Sequence, residues 1–260
     1  LAYLKFLGTS DAWGVPRLLC SCRVCTSHEA KNKRMRPSAF LQTDDEQILL
    51  DISPDFYQQF QAYNTGVVPR TVLVTQPQHS HTGGLNDYAD LCNRQHAPAL
   101  IISPPDIIDG LRQQYAHLEA DGGIQFLATR ETFIYPWHVT FQHVHPESDA
   151  YTLLFHGPEA SWAYMPTPLP DLPESRQLLR ELDLLIVGIS APPSGQYQSH
   201  SNNVCTKKRI QHMLALQQQL AIRTLIFTCL THNLYPPDIN NYLSPTIRFA
   251  QDGMEIQVPV

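Results

Sequence analysis

Short apolar, β-branched runs separated by turns dominate the chain. Tyr3–Leu7, Ala39–Thr43, Ile48–Asp51, Thr71–Thr75, Ala99–Ser103, Thr132–Ile134, His138–His145, Tyr151–His156, Ser161–Met165, Leu184–Ile189, Thr224–Thr228 and Glu255–Val258 all read as strands. Leu184-Leu-Ile-Val-Gly-Ile189 and Thr224-Leu-Ile-Phe-Thr228 are apolar almost throughout, which predicts burial on both faces. His138-Val-Thr-Phe-Gln-His-Val-His145 alternates instead, so one of its faces is expected to be covered and the other open. Helical spacing appears in Asp55–Tyr63, Leu85–Arg94, Pro105–Leu118, Glu174–Leu182 and Lys207–Leu220. Strand runs with helices between some of them predict an α/β fold in which two sheets are sandwiched by helices. The Pro-rich stretch Met165–Pro173 and the polar stretch Gly195–Asn203 read as loops. Neither is long enough to divide the chain, so one domain over 1–260 is expected.

Composition narrows the class. Hydrophobic residues make up 43% and charged residues 16% of 260, enough for a real core. The formal net charge is −6, which argues against a nucleic-acid partner. The one basic cluster is Lys31, Lys33, Arg34 and Arg36; it reads as a solvated helix end or as the mouth of an anion site. No run approaches the roughly 20 apolar residues a spanning helix needs. The first residues lack a basic leader and a small-residue cleavage site, so a cytoplasmic protein with no membrane partner is expected.

Three of the six cysteines fall together in Cys20-Ser-Cys-Arg-Val-Cys25. Neighbours that close pair poorly with one another and are well placed to grip one metal ion. Zinc takes four ligands in a tetrahedron, so the fourth must come from elsewhere in the chain. The alternative is three free, buried thiols.

Gly14-Val-Pro16, the cysteine motif, a strand ending in Asp51, Ser53-Pro-Asp55 and the C-terminal Phe249-x2-Asp252-Gly-Met-Glu-Ile256 together resemble one branch of the metallo-β-lactamase superfamily. That branch holds the cyclic-phosphate phosphodiesterase of phosphonate breakdown and the pyrroloquinoline quinone biosynthesis protein B. The resemblance runs over essentially the whole chain. It implies a four-layer αββα sandwich, a homodimer, and one structural zinc whose fourth ligand is the histidine matching His232.

The same resemblance shows where the chain departs. The superfamily signature is Thr-His-x-His-x-Asp-His-x2-Gly after a strand, whose side chains hold two metals and an activated water between them. This chain has Thr75-Gln-Pro-Gln-His-Ser-His81-Thr-Gly-Gly84. Gln76 and Gln78 replace the first two histidines and Ser80 replaces the aspartate, while His81 is kept. His145 matches the third histidine of the first metal site, Thr167 the bridging aspartate, and Cys229 the last histidine. Amide and hydroxyl oxygens are poor zinc ligands, and both acidic ligands are gone, so a second metal is doubtful. His79 could rescue a ligand only by a shift of register that takes Thr75 and Gly84 out of frame. The resemblance gives Asp51 an orienting role, and His200, in a loop, is a candidate general acid. His143 is read as structural.

Three functional readings follow. The first is a hydrolase acting on a phosphodiester-like substrate with one metal or a remodelled site, for which His81, His145 and Cys229 could make a three-ligand zinc position with an open fourth place. The second is a metal-free descendant that binds a small molecule, such as a phosphate ester, or a partner in the retained pocket. The third is a role in cofactor biosynthesis like that of the quinone protein.

Overall fold

Every strand predicted from the sequence forms, and two more appear. In chain order the elements are β1 (Tyr3–Gly8), β2 (Ser38–Gln42), β3 (Gln47–Leu50), α1 (Phe56–Tyr63), β4 (Thr71–Leu73), α2 (His79–Thr82) and α3 (Leu85–Arg94). There follow β5 (Ala99–Ser103), α4 (Pro105–Ala120), β6 (Ile124–Ala128), β7 (Glu131–Ile134), β8 (Trp137–His143), β9 (Tyr151–His156) and β10 (Ser161–Met165). The last are α5 (Pro173–Leu178), β11 (Leu184–Gly188), α6 (Asn203–Gln219), β12 (Thr224–Thr228), β13 (Ile247–Phe249) and β14 (Glu255–Gln257). This is a computed structural model, and it describes residues 1–63, 66–143, 148–169, 172–190, 203–235 and 239–260. His145, His200 and most of the polar loop 195–203 lie outside the described residues.

The strands make two seven-stranded sheets, in the orders β14-β1-β2-β3-β4-β5-β6 and β13-β12-β11-β10-β9-β8-β7. Each sheet is antiparallel at one end and parallel at the other. The ladders β3/β4, β4/β5 and β5/β6 are parallel in the first; β10/β11, β11/β12 and β12/β13 are parallel in the second. Parallel neighbours need crossovers. The chain supplies α1, α3 and α4 on the first sheet, and α5 and α6 on the second.

The apolar strands are buried on both faces, as their composition predicts. Leu184 and Ile186 point into the core between the sheets, while Leu185 and Val187 pack outward with Ile210, Met213 and Leu216 of α6. Phe155 and Trp162 stack at 3.8 Å between the sheets, with Trp137 edge-on to both. Removing apolar area of this kind from water contributes about 1.5–3 kcal/mol per large side chain. The arrangement is the expected αββα layering.

This topology positions the functional residues. Asp51 follows β3, the motif Thr75–Gly84 follows β4, Thr167 follows β10 and Cys229 follows β12. All lie past the carboxyl ends of parallel strands, where open α/β sheets gather their ligands. The predicted strand Thr71–Thr75 ends at Leu73 because the chain turns so that Thr75 meets Asp51: the Thr75 N–H donates to Asp51 Oδ1 at 2.8 Å.

Candidate functional site

The three cysteines and His232 come together, although some 200 residues separate them in sequence. Their ligand atoms all lie within 4.8 Å of one another. His232 Nδ1 is 3.4 Å from Cys20 Sγ, 3.6 Å from Cys22 Sγ and 3.5 Å from Cys25 Sγ. Zinc–sulfur and zinc–nitrogen bonds in a tetrahedron give an S-to-N edge of about 3.6 Å. The four donors therefore fit a tetrahedral metal ion, and three thiolates with one imidazole form a donor set suited to zinc.

The surrounding chain holds this arrangement. The Arg17 N–H donates to Cys25 Sγ at 3.3 Å, and the Cys25 N–H points at Cys22 Sγ at 3.5 Å. Arg34 is buried, and its guanidinium donates to the carbonyls of Thr231 and Leu234, each at 3.0 Å. It thus pins the loop bearing His232 against the first loop. By sequence Arg34 belongs to the basic cluster that reads as the mouth of an anion site or as a solvated helix end. Burial corrects that interpretation for Arg34, and Arg36 is held in an ion pair with Asp55.

The residues of the Thr75–Gly84 motif, expected from the resemblance to stand where the superfamily holds its metals, are organised by hydrogen bonds. Asp51 is fully buried and accepts from the Thr75 N–H, from the Thr75 hydroxyl and from His81 Nδ1, the last at 2.8 Å. With a proton on Nδ1, His81 turns the lone pair of Nε2 away from Asp51. The Gln76 side-chain amide meets it there at 2.6 Å. The nitrogen that a metal would need is thus occupied by a residue standing where the superfamily has a histidine. Ser80 is buried and carries no charge, and Gln78 uses its backbone carbonyl to accept from the His81 N–H. These residues do not fit a two-metal centre.

His79 is exposed, whereas His81 is buried, on the single turn of α2. Residues two apart on a helix do not face each other, so this pair does not form a displaced His-x-His site. Thr167 has a buried hydroxyl with no hydrogen-bond partner among the described residues. Cys229 is buried with φ +51°, and Asp51 has φ +58°. Left-handed backbone in non-glycine residues costs about 1–3 kcal/mol each and gathers at functional positions. Burial and then the Asp51 charge push the Cys229 thiol well up, so it is a neutral thiol here. Tyr164, which sequence reading missed, lies among the same groups, and burial followed by Asp51 and Cys229 pushes its phenol up as well.

A further polar cluster was also missed. Tyr151 Oη lies 2.8 Å from both Asp106 oxygens, 2.8 Å from His143 Nε2 and 3.1 Å from Arg130 Nη1. The Tyr151 N–H donates to the Thr75 carbonyl, which sets the cluster beside the motif loop. His143 thus bonds to the Tyr151 hydroxyl through Nε2 and, through Nδ1, lies 3.1 Å from the Ser148 carbonyl.

No protein-family model matches the chain. A Porphyromonas gingivalis protein named octanoyltransferase is 36% identical over 110 residues, 42% of this chain and 22% of that protein. Coenzyme PQQ synthesis protein B of Methylorubrum extorquens is 32% identical over 115 residues, 41% of this chain and 38% of that protein. The matches thus span well under half the length of these curated relatives. Among solved structures, a diphosphatase of the PhnP family superposes with a TM-score of 0.78 at 23% identity, covering 98% of this chain and 96% of that one. Zinc-bound PqqB from Methylobacterium extorquens gives 0.74 at 17%, covering 98% and 100%. The metallo-β-lactamase fold protein YhfI of Bacillus subtilis gives 0.72 at 12%, covering 98% of each chain. Two mixed seven-stranded sheets between helices, superposing over almost their full length on these proteins, give this chain the metallo-β-lactamase fold.

Proposed function

We propose that this chain is a PhnP-like protein of the metallo-β-lactamase fold that carries one structural zinc on Cys20, Cys22, Cys25 and His232. In this reading its two-metal hydrolytic centre has become a hydrogen-bonded pocket that holds a small ligand, such as a phosphate ester, without cleaving it. The observation that supports the reading best is the line Asp51–His81–Gln76, in which both ring nitrogens of the one retained motif histidine are occupied by protein groups. A bound zinc would supply charge and a fixed tetrahedral frame to the first loop, where metal binding is folding free energy.

The test combines elemental analysis with turnover. We expect about one zinc per chain and no hydrolysis of an aryl phosphodiester with added Mn²⁺ or Zn²⁺. Turnover comparable to that of an intact superfamily hydrolase would overturn the reading. A second reading, service in cofactor biosynthesis, is favoured by the 32% identity to coenzyme PQQ synthesis protein B. It predicts that the chain binds a quinone-type cofactor or its precursor, which equilibrium dialysis would detect.

A further inference from the structure

A cleft of about 720 Å³ is lined by the first loop, the segment around Lys31–Arg36 and helix α1. Asp51, Gln76, His81, Thr167 and Cys229 do not line it. Its size falls in the range of small-molecule sites.

One wall is apolar yet open to water. Trp13 is 59% exposed and Leu18 is 95% exposed, and Pro16 stands between them in sequence. The loop that presents them is fixed. Val15 and Arg34 exchange backbone hydrogen bonds at 2.9 and 2.8 Å, and the Trp13 N–H donates to Asp11 at 3.1 Å. Gly14 has φ +74°, which permits the turn between Trp13 and that bridge. The Val15–Arg34 bridge also pairs the basic segment with the first loop, so both line the cleft.

The polar groups of the cleft divide by whether they are already committed. Arg34 donates to backbone carbonyls, Arg36 is bound to Asp55, and Lys31 pairs with Glu29. Both cleft carboxylates are satisfied as well: Asp55 by Arg36, and Asp252 by the N–H groups of Thr9 and Met35 and the Thr9 hydroxyl. Four side chains on the lining make no hydrogen bond or ion pair among the described residues: Lys33, Gln58, Tyr63 and Gln251. The uncommitted chemistry is therefore an ammonium, a phenol and two amides lining the same cleft as an exposed indole. That set donates hydrogen bonds and positive charge, in a chain of net charge −6.

We infer that this cleft is a binding site for a small organic anion with a flat apolar body. The body lies against Trp13 and Leu18, and the anionic group meets Lys33 with the phenol and amides as further donors. This inference does not depend on the proposed loss of the hydrolytic centre.

The test uses 1-naphthyl phosphate, 2-naphthoate and inorganic phosphate as probes, followed by isothermal titration calorimetry and tryptophan fluorescence. Of the three tryptophans, Trp137 and Trp162 are buried, so emission from exposed indole reports on Trp13. Both naphthyl anions should bind saturably and quench that emission, with inorganic phosphate at least tenfold weaker. Lys33→Glu should weaken both at least tenfold, as should Trp13→Ala followed by calorimetry. His81→Ala, outside this cleft, should leave 2-naphthoate binding within twofold. All three variants are checked for fold by circular dichroism. Binding that follows His81 but not Lys33 would overturn this site and support the other pocket. Absence of saturable binding to a folded wild-type chain would also overturn it.

Discussion

The side-chain amide of Gln76 lies 2.6 Å from Nε2 of His81, on the far side of the imidazole from Asp51. A histidine at position 76 would offer a lone pair toward the same space, whereas the amide offers a hydrogen. The amide thus engages the Nε2 lone pair that His81 would otherwise have free.

That relationship predicts what Gln76→Leu does. The buried Nε2 loses its donor, and an unpaired buried group costs about 1–3 kcal/mol. Urea denaturation should show a lower midpoint with an unchanged slope. No loss of stability would show that the amide is not bonded to His81 in solution.

Rebuilding the motif is the complementary experiment. Gln76→His, Gln78→His and Ser80→Asp together install the superfamily's signature residues after β4 and remove the cap on His81. The triple variant should take up at least one metal equivalent more than the wild type, read by elemental analysis after dialysis. Equal metal content would mean that the motif is read in the wrong register.

Asp51 gathers three donors, so its removal should be more damaging than that of Gln76. Asp51→Leu leaves the Thr75 N–H and hydroxyl and the His81 N–H without an acceptor in the core. At about 1–3 kcal/mol for each unsatisfied group, the loss approaches the whole stability of a domain. Asp51→Asn keeps one carbonyl oxygen and tolerates the left-handed backbone, so it should fold with a reduced melting temperature. A leucine variant as stable as the wild type would refute the proposed network.

Metal removal should act at a distance along the chain but locally in space. Cys22→Ser, or chelation under mild denaturation, should loosen the segment around His232 together with the first loop, because Arg34 and the cluster both join them. Hydrogen exchange should speed up in both segments and not in β9 or β10. Uniform exchange across the sheets would indicate global rather than local loss.

How far the sequence reveals this arrangement depends on how local the determining physics is. β5, β9, β10 and β12 are legible to the residue because their apolar runs are bounded by turn residues and buried on both faces. β6 and β13 escape notice: β6 is an edge strand with Gln125 and Leu127 exposed, and β13 has three residues at the other sheet's edge. Strand propensity is weakest as a guide at such edges. α2 is a single turn, too short for any periodicity to register. At the site, the cysteine motif announces a candidate metal cluster because three of its donors are neighbours in sequence. His232 enters only through resemblance, since nothing local marks it. The bonding of Gln76 to His81 and the burial of Arg34 depend on contacts between distant segments, which composition and spacing do not encode.

The pH dependence of stability offers a test of the turn that closes the first loop. Burial pushes the Asp252 carboxyl up to about 6, against the opposing effect of its donors Met35 and Thr9 and of Arg34. A carboxyl whose folded pKa lies above its unfolded value of 3.8 binds its proton more tightly when folded. Its contribution is therefore fully present below about pH 4 and is lost as pH rises through about 6, on the order of 3 kcal/mol in all. Asp11, also raised by burial, acts in the same direction, whereas Asp55, held down by Arg36, acts oppositely. The informative quantity is thus the difference between wild type and Asp252→Asn. The asparagine should cost a hydrogen bond at every pH, because its amide NH₂ must face one of the backbone N–H donors. Between pH 4 and 6 the variant should lack the downward slope that Asp252 gives the wild type, measured as unfolding free energy in urea. Parallel curves for the two proteins across that window would show that Asp252 keeps an ordinary carboxylate pKa, and that its three donors outweigh its burial.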